Sequence, residues 1–165
     1  MKKPWKKTDK LTALITTFLG SGTLPKMPGT YGSLAAAAFV YPLASVSFIG
    51  CFALLAITIF FIGIPFVKKA MRDSNTNDPG WIVIDEVSGQ WMAFAFLAPE
   101  IIIENPWVIL IGFALFRFFD ILKPLGIKKL EALPGALGVM ADDLLGGIYA
   151  GLLLCLSFYG IPKLF

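Results

Sequence analysis

Residues 34–67 form an almost wholly apolar run, and this run sets the first limit on what the chain can fold into. One membrane-crossing helix needs about 20 such residues and two full crossings need about 40. The run falls between those lengths, so flanking charge has to decide. Lys2, Lys3, Lys6, Lys7, Lys10 and Lys26 precede it, and Lys68, Lys69 and Arg72 follow it. Basic flanks stay on the cytoplasmic side of a membrane. Both ends of the run are therefore expected on one side, which calls for a tight hairpin of two short helices broken near Pro42 to Ser47.

The rest of the composition agrees. The chain is 57% hydrophobic and 15% charged, against about 25% charged in soluble domains. Its 165 residues fit one membrane-embedded domain, with residues 1–33 as a basic segment at the cytoplasmic interface. So apolar a chain offers no basic face for nucleic acid. Cys51 and Cys155 lie in apolar runs without motif spacing and read as structural thiols. There is no His, which removes Ser-His catalysis, His metal ligands and His-dependent phosphatase chemistry together. The basic, partly polar N-terminus lacks the apolar core and cleavage site of a secretory signal and is expected to be retained.

Along the chain, "TDKLTALITTFL" (8–19) predicts a short amphipathic surface helix capped by Thr8 or Asp9. A Gly/Pro loop over 20–33 leads into the apolar hairpin, and a polar stretch over 68–80 follows it. Apolar helices are expected over about 81–97, 107–122 and 142–159, with a turn at "APEIIIENP" and a short amphipathic or loop segment at "KPLGIKKLEALPGALG". The expected class is all-α: a polytopic membrane bundle of about four to five short transmembrane or re-entrant helices plus the N-terminal amphipathic helix. Continuing the charge rule, the turn with Glu100 and Glu104 faces outward, and Arg117, Lys123, Lys128 and Lys129 return to the cytoplasm. Asp78, Asp85, Glu86, Asp120, Asp142 and Asp143 then gather at one membrane face.

Two stretches share a pattern. "VIDEVSGQW" and "MADDLLGGI" each carry an acid pair with a glycine four residues on: Gly89 after Asp85, Gly146 after Asp142, Gly147 after Asp143. On a helix, residues four apart share a face, and a glycine there lets a second helix approach closely. Two helices could thus meet through glycines and bring four carboxylates together, which repel unless a cation lies between them. Hard oxygen donors suit Mg²⁺. The plainer alternative is that acids at helix starts complement the helix dipole. "FRFFDILKP" sets Arg117, Asp120 and Lys123 three apart, either as an ion pair with a snorkelling Lys or as phosphate-holding cations around an acid. "GTLPKMPGTYGS" supplies Lys26, Gly29, Thr30, Gly32 and Ser33 ahead of a helix, either as an anion-binding turn or as a plain capped loop.

Taken together, "GSGTLPKMPGTYGSLAA" (20–36), "DPGWIVIDEVSGQW" (78–91), "FRFFDILKP" (116–124) and "GALGVMADDLLGGIYAG" (135–151) resemble the phosphatidylglycerophosphatase A family, in the family's order. The resemblance implies a Mg²⁺-dependent phosphatase of the bacterial inner membrane that converts phosphatidylglycerophosphate to phosphatidylglycerol. It also implies that Asp85, Glu86, Asp142 and Asp143 form the acidic motifs, with Asp120 and Lys123 in an Asp-x-x-Lys-Pro motif. Where the family often reads His-Gly-Gly-hydrophobic-Gly, this chain has Pro134 to Gly138.

The expected site therefore has Asp85, Glu86, Asp142 and Asp143 as metal ligands. Asp120 is the first candidate for the base that activates water, and Asp142 and Asp143 are further catalytic candidates. Lys26, Thr30, Ser33, Arg117 and Lys123 are the phosphate-binding set. The substrate would be a phospholipid in the bilayer, met at the cytoplasmic face. Two other readings use the same acids: a non-catalytic membrane interaction protein, and a CDP-alcohol phosphotransferase. The second needs a longer array of acids on consecutive helix turns than this chain carries.

Overall fold

The computed structural model describes residues 4–159, so Lys2 and Lys3 of the basic N-terminal group lie outside the described residues. Among the described residues the chain is all-helical, with no strand. After a 3-10 turn at Pro4–Lys7, α1 (Lys10–Thr16) is capped by Asp9, whose Oδ1 accepts from the backbone N–H groups of Leu11 and Thr12, each at 3.1 Å. The cap also pairs with Lys69, tying α1 to a later helix. The amphipathic pattern of α1 runs opposite to that of a soluble helix: Thr12 and Thr16 are buried while Leu11 and Leu14 are exposed. A helix that turns threonines inward and leucines outward suits an apolar surrounding.

The apolar run is broken, but later than expected. Helix α2 (Pro28–Ala38) starts inside the Gly/Pro loop, because Pro28 takes a first-turn position where its missing N–H costs nothing. Then follow α3 (Val40–Ala44), a break over residues 45–50 ending at Gly50 with φ 87°, and α4 (Cys51–Ser74). The 24 residues of α4 reach about 36 Å, which takes in residues 68–74 of the polar stretch expected over 68–80. Lys68, Lys69 and Arg72 are helical because α4 ends only at Asn75, in the left-handed region at φ 55°.

The remaining helices are α5 (Ile84–Met92), α6 (Pro99–Glu104), α7 (Val108–Leu122), α8 (Ile127–Glu131) and α9 (Ala136–Tyr159). Two sequence expectations shift here. The helix expected over 81–97 is a nine-residue α5 followed by turns, and the turn at 98–106 contains α6. Among the described residues, α4 and α9 are long and apolar enough to cross a membrane. Leu54, Phe61 and Ile62 on α4, and Leu110, Phe118 and Ile121 on α7, stay exposed. Lipid, rather than water, suits faces of that kind.

Helix α5 is the hub. Every residue of it except Glu86 is buried, and α2, α4, α7 and α9 pack around it. A short helix that is buried all round needs its polar groups satisfied by neighbours. Ser88 Oγ donates to the Ala56 carbonyl of α4 at 2.9 Å, and Trp91 Nε1 donates to the Ala36 carbonyl of α2 at 3.0 Å. These bonds fix the rotation of α5, and so fix where its first turn points.

Candidate active site

That first turn carries Asp85 and Glu86. Their position suits the positive end of the helix dipole. Asp142 and Asp143 have no such explanation. The last helix begins at Ala136 rather than at the acids, so the pair sits nearly two turns inside α9. Within each pair the backbone N–H of the second acid donates to Oδ1 of the first, at 3.0 Å in both cases. One carboxylate is thereby pinned and the next is aimed into the bundle.

The glycines bring the pairs together. A Cβ added to Gly147 would collide with the carbonyl oxygen of Gly89, and one added to Gly89 would collide with the Phe116 ring and the Asp143 carbonyl oxygen. Helices α5 and α9 therefore cross backbone to backbone. Gly146 plays a different part from the one its spacing predicted. It faces α7, where the nearest atom to an added Cβ is Phe119 Cβ at 3.7 Å, an ordinary contact.

The crossing sets oxygens of Asp85, Glu86 and Asp143 within 4.8 Å of one another. Asp142, expected as the fourth member, turns away: its Oδ2 accepts from Lys123 Nζ at 2.7 Å. Lys123 also approaches Glu131 Oε1 at 3.3 Å. Burial by itself would lower the pKa of Lys123, but Asp142 and Glu131 outweigh it and raise the group above its ordinary value. The ammonium is thus fixed as a cation. It is held by a backbone in the left-handed region (φ 47°) at the point where Pro124 ends α7.

Arg117 and Asp120 form an i,i+3 pair at 2.5 Å on α7, and Asp120 faces Asp143. Arg117 Nη1 also donates to Ser33 Oγ at 3.3 Å, while Ser33 Oγ donates to the Gly29 carbonyl at 2.8 Å. Gly29 lies against the Glu86 carboxylate so closely that a side chain there would displace it.

Three of the four sequence segments thus line one cavity of about 560 Å³, through Asp85, Glu86, Asp120, Lys123, Asp142 and Asp143, while the 20–36 segment backs it through Gly29 and Ser33. Of the five expected phosphate ligands, Lys123 alone lines it. Arg117 and Ser33 stand behind the acids, Thr30 is on the first turn of α2 without reaching the cavity, and Lys26 lines a separate cavity of about 400 Å³ that shares Gly80 with the first. Sequence reasoning missed Glu131 and Asn77, which also line the acidic cavity. Glu131 is a lone acid in a basic amphipathic stretch and Asn77 a turn residue, so neither carried a signal.

The donor set fits a hard divalent cation. Three carboxylate oxygens converge, and Glu86 Oε2 is buried with no hydrogen-bond partner. A buried, unpaired carboxylate oxygen is costly, and a cation at this point would satisfy it.

The phosphatidylglycerophosphatase A family model matches residues 14–158. A Bacteroides thetaiotaomicron protein provisionally named a phosphatidylinositol-3-phosphatase is 36% identical, over 95% of this chain and 97% of its own. The phosphatidylglycerophosphatase A of Haemophilus influenzae is 38% identical, over 89% of this chain and 90% of its own. That of Escherichia coli is 32% identical, over 93% of this chain and 83% of its own. No solved structure matches the chain.

Proposed function

This chain belongs to the phosphatidylglycerophosphatase A family, and on that premise we propose that it removes the terminal phosphate of phosphatidylglycerophosphate with the help of Mg²⁺, at the cytoplasmic face of a bacterial inner membrane. The family makes it a phosphatase, a phosphoric monoester hydrolase. The observation that carries the proposal is the buried meeting of Asp85, Glu86 and Asp143 beside the fixed cation of Lys123.

Asp85, Glu86 and Asp143 would hold the metal. When bound, Mg²⁺ would supply positive charge against the charge that develops on the transferring phosphoryl group. Lys123 would contact the phosphate, with Asp142 orienting its ammonium. Asp120, held by Arg117, would take the proton of the attacking water. The water oxygen bonds to phosphorus as the bond from phosphorus to the glycerol oxygen breaks. The glycerol oxygen takes a proton from solvent and Asp120 returns its own to solvent, leaving phosphatidylglycerol and inorganic phosphate. Arg117 and Ser33 act as positioning residues in this scheme. The exposed apolar faces of α4 and α7 would keep the cavity at headgroup depth, so the acyl chains need not leave the leaflet.

Purified protein assayed on phosphatidylglycerophosphate, with and without Mg²⁺, tests the proposal. Metal-dependent phosphate release is expected. No release from a folded sample across divalent cations would reject it and favour a non-catalytic membrane protein. The name of the Bacteroides relative raises a second headgroup, and phosphatidylinositol 3-phosphate in the same assay decides between the two.

A further inference from the structure

A second cavity, of about 350 Å³, opens beside the acidic one, and the two share Met71, Asn77 and Gly135 as lining. Its character is opposite. Lys68 and Arg72 line it, with the amides of Asn75 and Asn77, and no acid does. The last turns of α4 divide their charges between two faces. Lys69 pairs with Asp9 and Asp73 accepts from Thr8 Oγ1 at 2.6 Å, so that face is tied to the N-terminal segment. Lys68 and Arg72, four apart on the neighbouring face, make no ion pair and no side-chain hydrogen bond among the described residues. Two free cations and two amides around a hollow make a site for an anion.

We infer that the Lys68–Arg72 cavity binds a phosphodiester anion. The inference rests on the function proposed above. The substrate carries two phosphates separated by one glycerol, a terminal monoester and an internal diester. The acidic cavity accepts the monoester only with a metal, whereas the basic cavity needs none. With three lining residues in common, one headgroup can engage both. The basic cavity then sets specificity, favouring lipids that carry a diester next to the monoester over those with a single phosphate. Lys and Arg near a helix C-terminus also suit the helix dipole and an anionic membrane surface, so the test has to separate those roles from a site.

The test uses the full chain in neutral detergent micelles, where substrate is the only anionic lipid. It compares wild type with K68Q/R72Q for KM and kcat on phosphatidylglycerophosphate, and for inhibition by soluble glycerophosphoglycerol, a diester with no monoester. In the variant, KM and the inhibition constant are each expected to rise about tenfold or more, the scale of a lost charge-assisted hydrogen bond, with kcat unchanged. K68R/R72K should stay within about threefold of wild type, which guards against misfolding as the cause. An unchanged KM and inhibition constant, a fall in kcat alone, or a loss seen only after anionic lipid is added would each overturn the inference. Absence of turnover by wild type would instead sink the proposed function.

Discussion

The carbonyl oxygen of Gly89 occupies the space that a side chain on Gly147 would need. This contact sets the spacing of α5 and α9, and with it the distance from Asp85 and Glu86 to Asp143. Gly147→Ala should push the helices apart and lower turnover by about 10²-fold, because misplacing reacting groups by about an ångström costs that much. Gly146→Ala, one residue away, meets nothing closer than 3.7 Å. It should leave turnover within about threefold and stabilise α9 by roughly 0.5–1 kcal/mol through helix propensity. Assays and thermal melts of the two variants check this, and equal effects would sink the crossing argument.

Removing an acid should separate activity from stability. Asp143→Asn keeps the shape of the side chain and removes one of three converging carboxyl groups. Turnover is expected to fall by about 10²-fold or more, on the scale of losing one electrostatic contact in a reaction centre. The metal-free melting temperature should rise, as it does when the cost of crowding buried carboxyl groups at a working site is relieved. A variant that loses both activity and stability would point to a structural acid.

Divalent metal should stabilise the wild-type protein. At a metal concentration of about one hundred times Kd, the folded state gains roughly 2.7 kcal/mol, readable as a rise in melting temperature that chelator reverses. Asp85→Asn and Asp143→Asn should each lose that rise. Mg²⁺ that shifts no melting curve and changes no rate would count against the metal.

Lys123 and Asp142 form a pair that is 25% and 5% exposed at the side chains. Lys123→Met leaves the Asp142 carboxylate buried without its cation. The expected loss is about 1–3 kcal/mol, below the range for fully buried pairs because water reaches Lys123. Adding Asp142→Asn should restore part of it, and a double-mutant cycle by denaturant or heat measures the coupling. Independent, additive losses would mean that the pair does not act as one.

The acid pairs, the glycine offsets and the apolar class were legible in the chain because each follows from local periodicity. The start of α9 was not. The helix was expected from about residue 142, after an amphipathic or loop segment ending at Gly138, yet it begins at Ala136, immediately after Pro134 and Gly135. This hid the fact that Asp142 and Asp143 sit deep in a helix, where the dipole does not account for them. The parting of Asp142 from the other acids was equally hidden, since it depends on Lys123 folding back in a left-handed conformation at Pro124. Periodicity assigns a residue to a face; only the crossing of a second helix says which neighbour it meets. Lys26 shows the reverse error. Nearness in sequence to Gly29 and Ser33 suggested a shared anion site, but the chain turns between them and places Lys26 in another cavity.

Because Asp143 arrives on α9, the two acids of α5 are made well before their third partner. During synthesis the hub can pack against α2 and α4, but the oxygens cannot converge until α9 slides its glycine under Gly89. A chain stalled before that moment lacks the third oxygen of the cluster. The meeting of the three carboxylates is thus timed by the docking of α9.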